Sequence, residues 1–162
     1  MLDNYLTSAY DLAPYTLYEE PLAPLTGTQS QLPVILSEYR FYKISDIDNY
    51  LKLLTRTPEY FRSILNFEHT KSESGLFMSS YTADSIIKEC RNFVNLKESN
   101  YLYSSFVERL EELASARDGV LTEKQREAYT RQNNVYIKKY IFPAYEQLIS
   151  GLSELRSSGK NN

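Results

Sequence analysis

The 162-residue chain has little of what common metal and thiol chemistries require. It contains one histidine, His69, one cysteine, Cys90, and no tryptophan. These residues alone cannot form a structural zinc site of four Cys or His ligands, nor a catalytic site with two or more histidine ligands. A single cysteine also excludes a disulfide within the chain. Any histidine-dependent catalysis would have to use His69.

Clustered basic charge and long apolar runs are missing as well. The 18 Lys and Arg residues are outnumbered by 21 Asp and Glu, which gives a net charge of −3. Nucleic-acid binding needs a concentrated basic surface, so the composition argues against nucleic acid as a partner. No apolar run approaches the roughly 20 residues that cross a bilayer, and we predict no membrane segment.

The two rare residues occupy positions typical of packing. His69 follows Leu65 by four residues, at the edge of an apolar helix face, and no Gly-x-Ser-x-Gly nucleophile motif accompanies it. Cys90 lies between Ile86 and Phe93 on an apolar stripe, whereas a reactive thiol needs a cationic, partly exposed setting. We interpret both residues as structural rather than catalytic.

Tyrosine is abundant, with 15 residues beside 7 phenylalanines. Many tyrosines fall on or next to apolar helical stripes, where the ring packs and the hydroxyl reaches a polar partner. Tyrosine is also a residue suited to binding peptides or sugars. Both interpretations stay open, and packing is the favoured one for most positions.

Apolar residues recur at spacings of three and four from Ser30 onward, which is the period of an α-helix. Capping residues predict helix starts at Ser45, Thr57-Pro58, Thr82, and Thr122 with Gln125. The sequence therefore predicts an all-α fold, a single helical domain of about six helices.

Two further residues predict how helices end or bend. Gly75 is placed to end a helix as a left-handed C-terminal cap. Pro143 lies inside the long final helical pattern and is predicted to kink that helix, because proline lacks the N–H of a helical hydrogen bond.

The two ends of the chain differ from its middle. Residues 1–29 are rich in proline and tyrosine and are predicted to form an extended lead-in segment, with a short helix in residues 1 to about 12. Residues 30–156 are predicted to be the helical domain. Residues 157–162 are predicted to be a frayed polar tail.

Specific strings, taken together, resemble a known family. They run in order from about Tyr15 to Lys160 and comprise Leu25 to Pro33, Glu38 to Phe41, Asp46-Ile47, Tyr50-Leu51, Tyr60-Phe61, Glu68, Gly75 to Met78, Asn100 to Leu102, Phe142 to Tyr145, Leu148, and Gly151-Leu152. The chain resembles the bacterial metallopeptidase-like proteins known as domain of unknown function 885, which are helical relatives of zinc peptidases.

That resemblance implies a part of a larger protein. Family members are much longer, and their zinc site is a His-Glu-x-x-His helix with a downstream Glu, C-terminal to the region matched here. This chain has no His-Glu pair, so no metal ligand is carried over. We predict no cofactor in this chain, and zinc is implied only for the full-length relative. The resemblance suggests an exported or cell-surface bacterial protein, while the residues themselves leave the compartment unknown.

The resemblance also implies a role as one wall of a peptide-substrate groove in the larger hydrolase. The candidate groove residues are Gln29, Gln31, Glu38 and Arg40. The expected partners are the C-terminal remainder of the parent chain and a peptide substrate. An exposed apolar face, left where that remainder packs, could also support a dimer.

A second class of function stays open beside the first. The chain could be a free-standing helical interaction module that binds a protein partner through its tyrosine-rich faces. The two hypotheses differ in whether the reading frame continues past Asn162 into a His-Glu-x-x-His motif.

Overall fold

The computed structural model describes residues 13–116 and 120–161, and these are helical with short connections. Six α-helices lie in the described part, so the all-α prediction is confirmed. They are α1 Thr28–Glu38, α2 Ile44–Glu73, α3 Ser80–Asn95, α4 Tyr101–Ala116, α5 Glu123–Tyr136 and α6 Phe142–Ser158. Two 3₁₀ turns, Ala13–Tyr18 and Lys97–Ser99, and a π-helical turn, Ile137–Ile141, complete the order.

Helix α2 is the centre of the domain. It packs against α5, the π turn and α6, while α3 packs on α6 and α4 joins α1 to α5. Its buried face carries Ile47, Tyr50, Leu54 and Phe61, none of which is exposed to solvent. Burying each such side chain is worth roughly 1.5–3 kcal/mol, so this face dominates the local energetics.

Thr57-Pro58 does not start a helix, and that prediction was wrong. Both residues lie inside α2, which runs unbroken for 30 residues, and the Thr57 hydroxyl donates to the Leu53 carbonyl at 3.2 Å. An internal proline costs about 3 kcal/mol. The apolar face continues in phase on both sides of Pro58, from Leu54 to Phe61, and its burial outweighs that cost.

Two other predicted starts are shifted. Helix α2 begins at Ile44, one residue before Ser45, and the Asp46 carboxylate accepts the backbone N–H groups of Tyr42 and Lys43 at 2.9 and 3.1 Å. Helix α3 is capped by Ser79 and not by Thr82: the Ser79 hydroxyl accepts the Thr82 N–H at 3.1 Å. In each case a polar side chain close to the predicted cap accepts backbone N–H groups at the start of the helix.

The predicted cap at Gly75 is confirmed. Its φ of 74° lies in the left-handed region that glycine adopts without strain. The Leu76 N–H donates to the Lys71 carbonyl at 2.8 Å, and the Gly75 N–H donates to that of Ser72 at 3.1 Å. These are the two hydrogen bonds of a Schellman motif, which satisfies carbonyls at the end of α2.

The C-terminal third contains one confirmed cap and one disturbed helix. Thr122 and Gln125 form the predicted capping box at the start of α5. The disturbance predicted at Pro143 takes the form of the π turn, in which the Phe142 N–H donates to the Ile137 carbonyl. Because Pro143 has no N–H to donate one turn back, the wider turn relieves the interrupted hydrogen-bond pattern.

Both ends of the described chain are more regular than predicted. The lead-in begins with the 3₁₀ turn Ala13–Tyr18 and buries Leu22. At the other end α6 continues to Ser158, and the Phe77 N–H donates to the Lys160 carbonyl at 3.0 Å. The short helix predicted within residues 1 to about 12 lies outside the described residues.

Candidate functional site

Gln29, one of the predicted groove residues, is buried at the start of α1. It is 3% exposed, and its Nε2 donates to the Ala23 carbonyl at 2.6 Å and to the Glu89 carboxylate at 3.0 Å. Its own backbone carbonyl accepts the Tyr145 hydroxyl at 2.6 Å. Gln29 therefore ties α1 to α3 and α6, while Gln31 is exposed on the same helix.

Glu38 and Arg40 lie together at the opposite end of α1, and both are exposed. They border a cleft of about 690 Å³ between that end and α4, hereafter the polar cleft. It is lined by Ser37, Glu38, Arg40, Ser105, Glu108, Arg109 and Glu112. Three carboxylates and two guanidinium groups thus meet in one depression, and the structure brings together two of the four predicted groove residues.

Arg109, which no sequence motif singles out, forms the buried base of the polar cleft. It is 5% exposed, and its Nη1 donates to the backbone carbonyls of Leu36 and Tyr39 at 2.8 and 2.7 Å. Its Nε donates to the Ser105 carbonyl at 2.8 Å. Carbonyls at a helix C-terminus lack partners within the helix, so Arg109 caps α1 from a distant part of the chain.

Aromatic rings enclose the same guanidinium. The Arg109 Cζ lies 4.8 Å from the ring centroids of both Phe41 and Tyr50. Phe106 completes the cluster, with its centroid 5.5 Å from that of Phe41 and 5.4 Å from that of Tyr50. Cation–π contacts of a desolvated guanidinium are worth about 2 kcal/mol. The arrangement holds α1, α2 and α4 in a fixed geometry beneath the cleft.

A second surface feature lies between α1 and α2, hereafter the apolar groove. It encloses about 300 Å³ and is lined by Leu32, Ile35, Leu36, Tyr39, Leu53, Arg56, Thr57 and Tyr60. Ile35, Leu53 and Tyr60 are 60%, 47% and 48% exposed. Exposed apolar side chains gathered in a depression are typical of a surface that another molecule covers.

The two rare residues occupy different environments. Cys90 is fully buried, and burial raises the pKa of its thiol to about 12, which keeps the thiol protonated at neutral pH. His69 is exposed on α2.

Among residues 13–116 and 120–161, no three or more His, Cys, Asp or Glu side chains are grouped to hold a metal ion. Within the same ranges, no helix has the length and apolar character needed to cross a membrane.

Comparison with known proteins supports the fold. No protein-family model matches the chain. No curated protein matches it either. A crystal structure described as that of a putative lipoprotein from Colwellia psychrerythraea is similar, with a TM-score of 0.77 at 17% sequence identity. The match covers 86% of this chain and 23% of that chain. By its fold, the chain is therefore similar to a helical part of a protein about four times as long.

Proposed function

We propose that this chain is a non-catalytic helical domain of a larger, zinc-metallopeptidase-like protein and forms one wall of its substrate groove. The observation that carries the proposal is the fold match, which covers most of this chain but only 23% of the longer one. The metallopeptidase character rests on the sequence resemblance. A location at the bacterial cell surface belongs to the same proposal.

The polar cleft is the part of this wall best suited to contact a peptide. Carboxylates of Glu38, Glu108 and Glu112 can accept peptide N–H groups, and the Arg40 guanidinium can donate to peptide carbonyls. Arg109, on the same helix as Glu108 and Glu112, holds the end of α1 that carries Glu38 and leads to Arg40. Groups on rigid elements present a defined pattern of donors and acceptors, as a substrate-positioning surface requires.

Truncating the exposed cleft residues should reduce turnover without destabilising the protein. In the full-length parent, we expect Glu38→Ala and Arg40→Ala each to lower kcat/KM for a peptide substrate about tenfold, the equivalent of about 1.4 kcal/mol of transition-state binding. Both side chains are exposed, so the unfolding temperature should stay unchanged. Steady-state kinetics and thermal unfolding measure the two effects.

Glu73→Ala is the matched control, since Glu73 is exposed on α2 and does not line the polar cleft. Wild-type kinetics in both cleft variants would show that the cleft is not a substrate contact.

Sequencing past residue 162 tests whether the chain belongs to a zinc-peptidase-like parent protein. The reading frame should continue into a His-Glu-x-x-His motif, and an in-frame stop there would contradict the proposal.

The apolar groove favours a second candidate, a helical interaction module. The groove presents Tyr39 and Tyr60 beside aliphatic side chains, in keeping with a tyrosine-rich binding face. If the module associates with itself, the isolated chain should dimerise. Leu53→Glu should then weaken dimerisation at least about tenfold, because burying an unpaired carboxylate costs well over 1.4 kcal/mol.

Analytical ultracentrifugation over a range of concentrations measures this association. Leu96→Glu is the control, since Leu96 is exposed but lies outside the groove. A wild-type chain that stays monomeric at every concentration, or a dimer that Leu53→Glu leaves intact, would exclude the groove as a self-association surface.

A further inference from the structure

Glu68 is a carboxylic acid buried on α2. It lies near the C-terminal end of α2 and is not exposed to solvent. Neither carboxylate oxygen has a hydrogen-bond partner in the part of the chain that the structure describes. Burial raises its pKa to about 7, the nearby Lys71 opposes that shift, and Glu20 adds to it. A buried carboxylate without partners favours its neutral form.

Lys71 lies one turn further along α2, but its ammonium group is bonded elsewhere. It is 4% exposed, and its Nζ donates to the backbone carbonyl of Glu19 at 2.9 Å. Residues three apart share a helix face, so the same ammonium is within reach of the Glu68 carboxylate after a side-chain rotation. The Lys71 ammonium can therefore donate either to the Glu19 carbonyl or to the Glu68 carboxylate.

Glu19 belongs to the part of the lead-in that crosses the end of α2, residues 13–22, hereafter the strap. The 3₁₀ turn of the strap packs on α2, and its Leu22 is 2% exposed. Strap residues and Lys71 border a pocket of about 420 Å³. This open space gives the lysine side chain room to move, and the bond to Glu19 is a polar tether from α2 to the strap.

We propose that the strap is a latch controlled by one proton. With Glu68 protonated, the Lys71 ammonium holds the strap through the Glu19 carbonyl. When Glu68 loses its proton to solvent, the new carboxylate draws Lys71 away and the strap is released. Among the residues that the structure describes, the charged groups that act on Glu68 are Lys71 from its own helix and Glu20 from the strap. The negative charge of Glu20 favours release, because it repels the ionised Glu68.

Hydrogen exchange of the strap amides tests the latch in the 162-residue chain. The Glu19 N–H, bonded to the Thr16 carbonyl at 3.1 Å, is one reporter. Between pH 5.5 and 8.5 the wild-type protection factors should fall on the order of 10- to 100-fold. Glu68→Gln should keep them high at both pH values, and Lys71→Met should keep them low at both. The exposed Glu73→Gln should behave as wild type.

Carbon-13 NMR of the Glu68 carboxyl gives a second readout that does not depend on a variant. Its titration midpoint should lie near neutrality and coincide with the loss of strap protection. Wild-type protection that is equal at both pH values, or that falls equally in Glu68→Gln, would overturn the latch. A carboxyl midpoint near that of an exposed glutamate would overturn it too.

Discussion

Replacing Arg109 by methionine is expected to lower the free energy of unfolding by about 3 kcal/mol. The variant leaves the buried carbonyl of Leu36 and the partly buried carbonyl of Tyr39 without their donor, and an unsatisfied buried acceptor costs roughly 1–3 kcal/mol. It also removes the cation–π contacts with Phe41 and Tyr50. Relief of the desolvated charge offsets part of this loss. Urea unfolding at pH 7 measures the difference.

Arg131→Met is the matched control, because Arg131 is exposed on α5 and makes a surface ion pair with Glu127 at 3.4 Å. Its effect should stay below about 0.5 kcal/mol. Arg109→Lys should recover only part of the stability, since an ammonium cannot reproduce the planar, forked donors of a guanidinium. A loss below about 1 kcal/mol for Arg109→Met would show that this residue does not hold the end of α1.

Stability is expected to fall as the pH rises through the titration range of Glu68. Burial raises the pKa of Glu68 in the folded chain from its ordinary value of 4.5 to about 7, so between these values the folded chain retains a proton that the unfolded chain has released. The stabilising contribution is complete below about pH 4.5 and is lost as the pH passes 7. A pKa raised from 4.5 to about 7 corresponds to roughly 3 kcal/mol of stability.

The comparison of wild type with Glu68→Gln separates the contribution of Glu68 to the free energy of unfolding from that of all other titrating groups. Denaturant unfolding from pH 4 to 8.5 should show the variant gaining on wild type with rising pH by up to about 3 kcal/mol, with Glu73→Gln following wild type. A constant difference between Glu68→Gln and wild type would contradict the prediction. The latch makes a separate claim, because stability could follow this curve while the strap stays closed.

Local chemistry was sufficient for many features of the fold. The spacing of apolar residues predicted the helices, and Gly75 and the Thr122–Gln125 pair predicted a helix end and a helix start that the structure confirms. These features depend on interactions between residues only a few positions apart, so a short stretch of sequence is enough to predict them. The disturbance near Pro143 belongs to the same class.

Other features depend on residues distant in the chain. Pro58 stays inside α2 because the buried face on both sides of it outweighs a lost hydrogen bond, which a local reading of Thr57-Pro58 cannot weigh. From sequence alone Gln29 was predicted to lie on a functional surface. It is buried because Glu89 and Tyr145, on two other helices, pack against it and form hydrogen bonds with it. Glu38 and Arg40 line a cleft because α4, which is distant in sequence, packs beside the end of α1.

By itself, therefore, the sequence determined the helical class, several helix ends and the scarcity of metal and thiol ligands. Tertiary structure alone decided which polar side chains are buried and what they contact. Arg109 meets carbonyls about 70 residues away, and Lys71 meets one 52 residues away. A polar group's energy inside a protein depends on the partners that packing brings to it, and sequence periodicity carries no information about those partners.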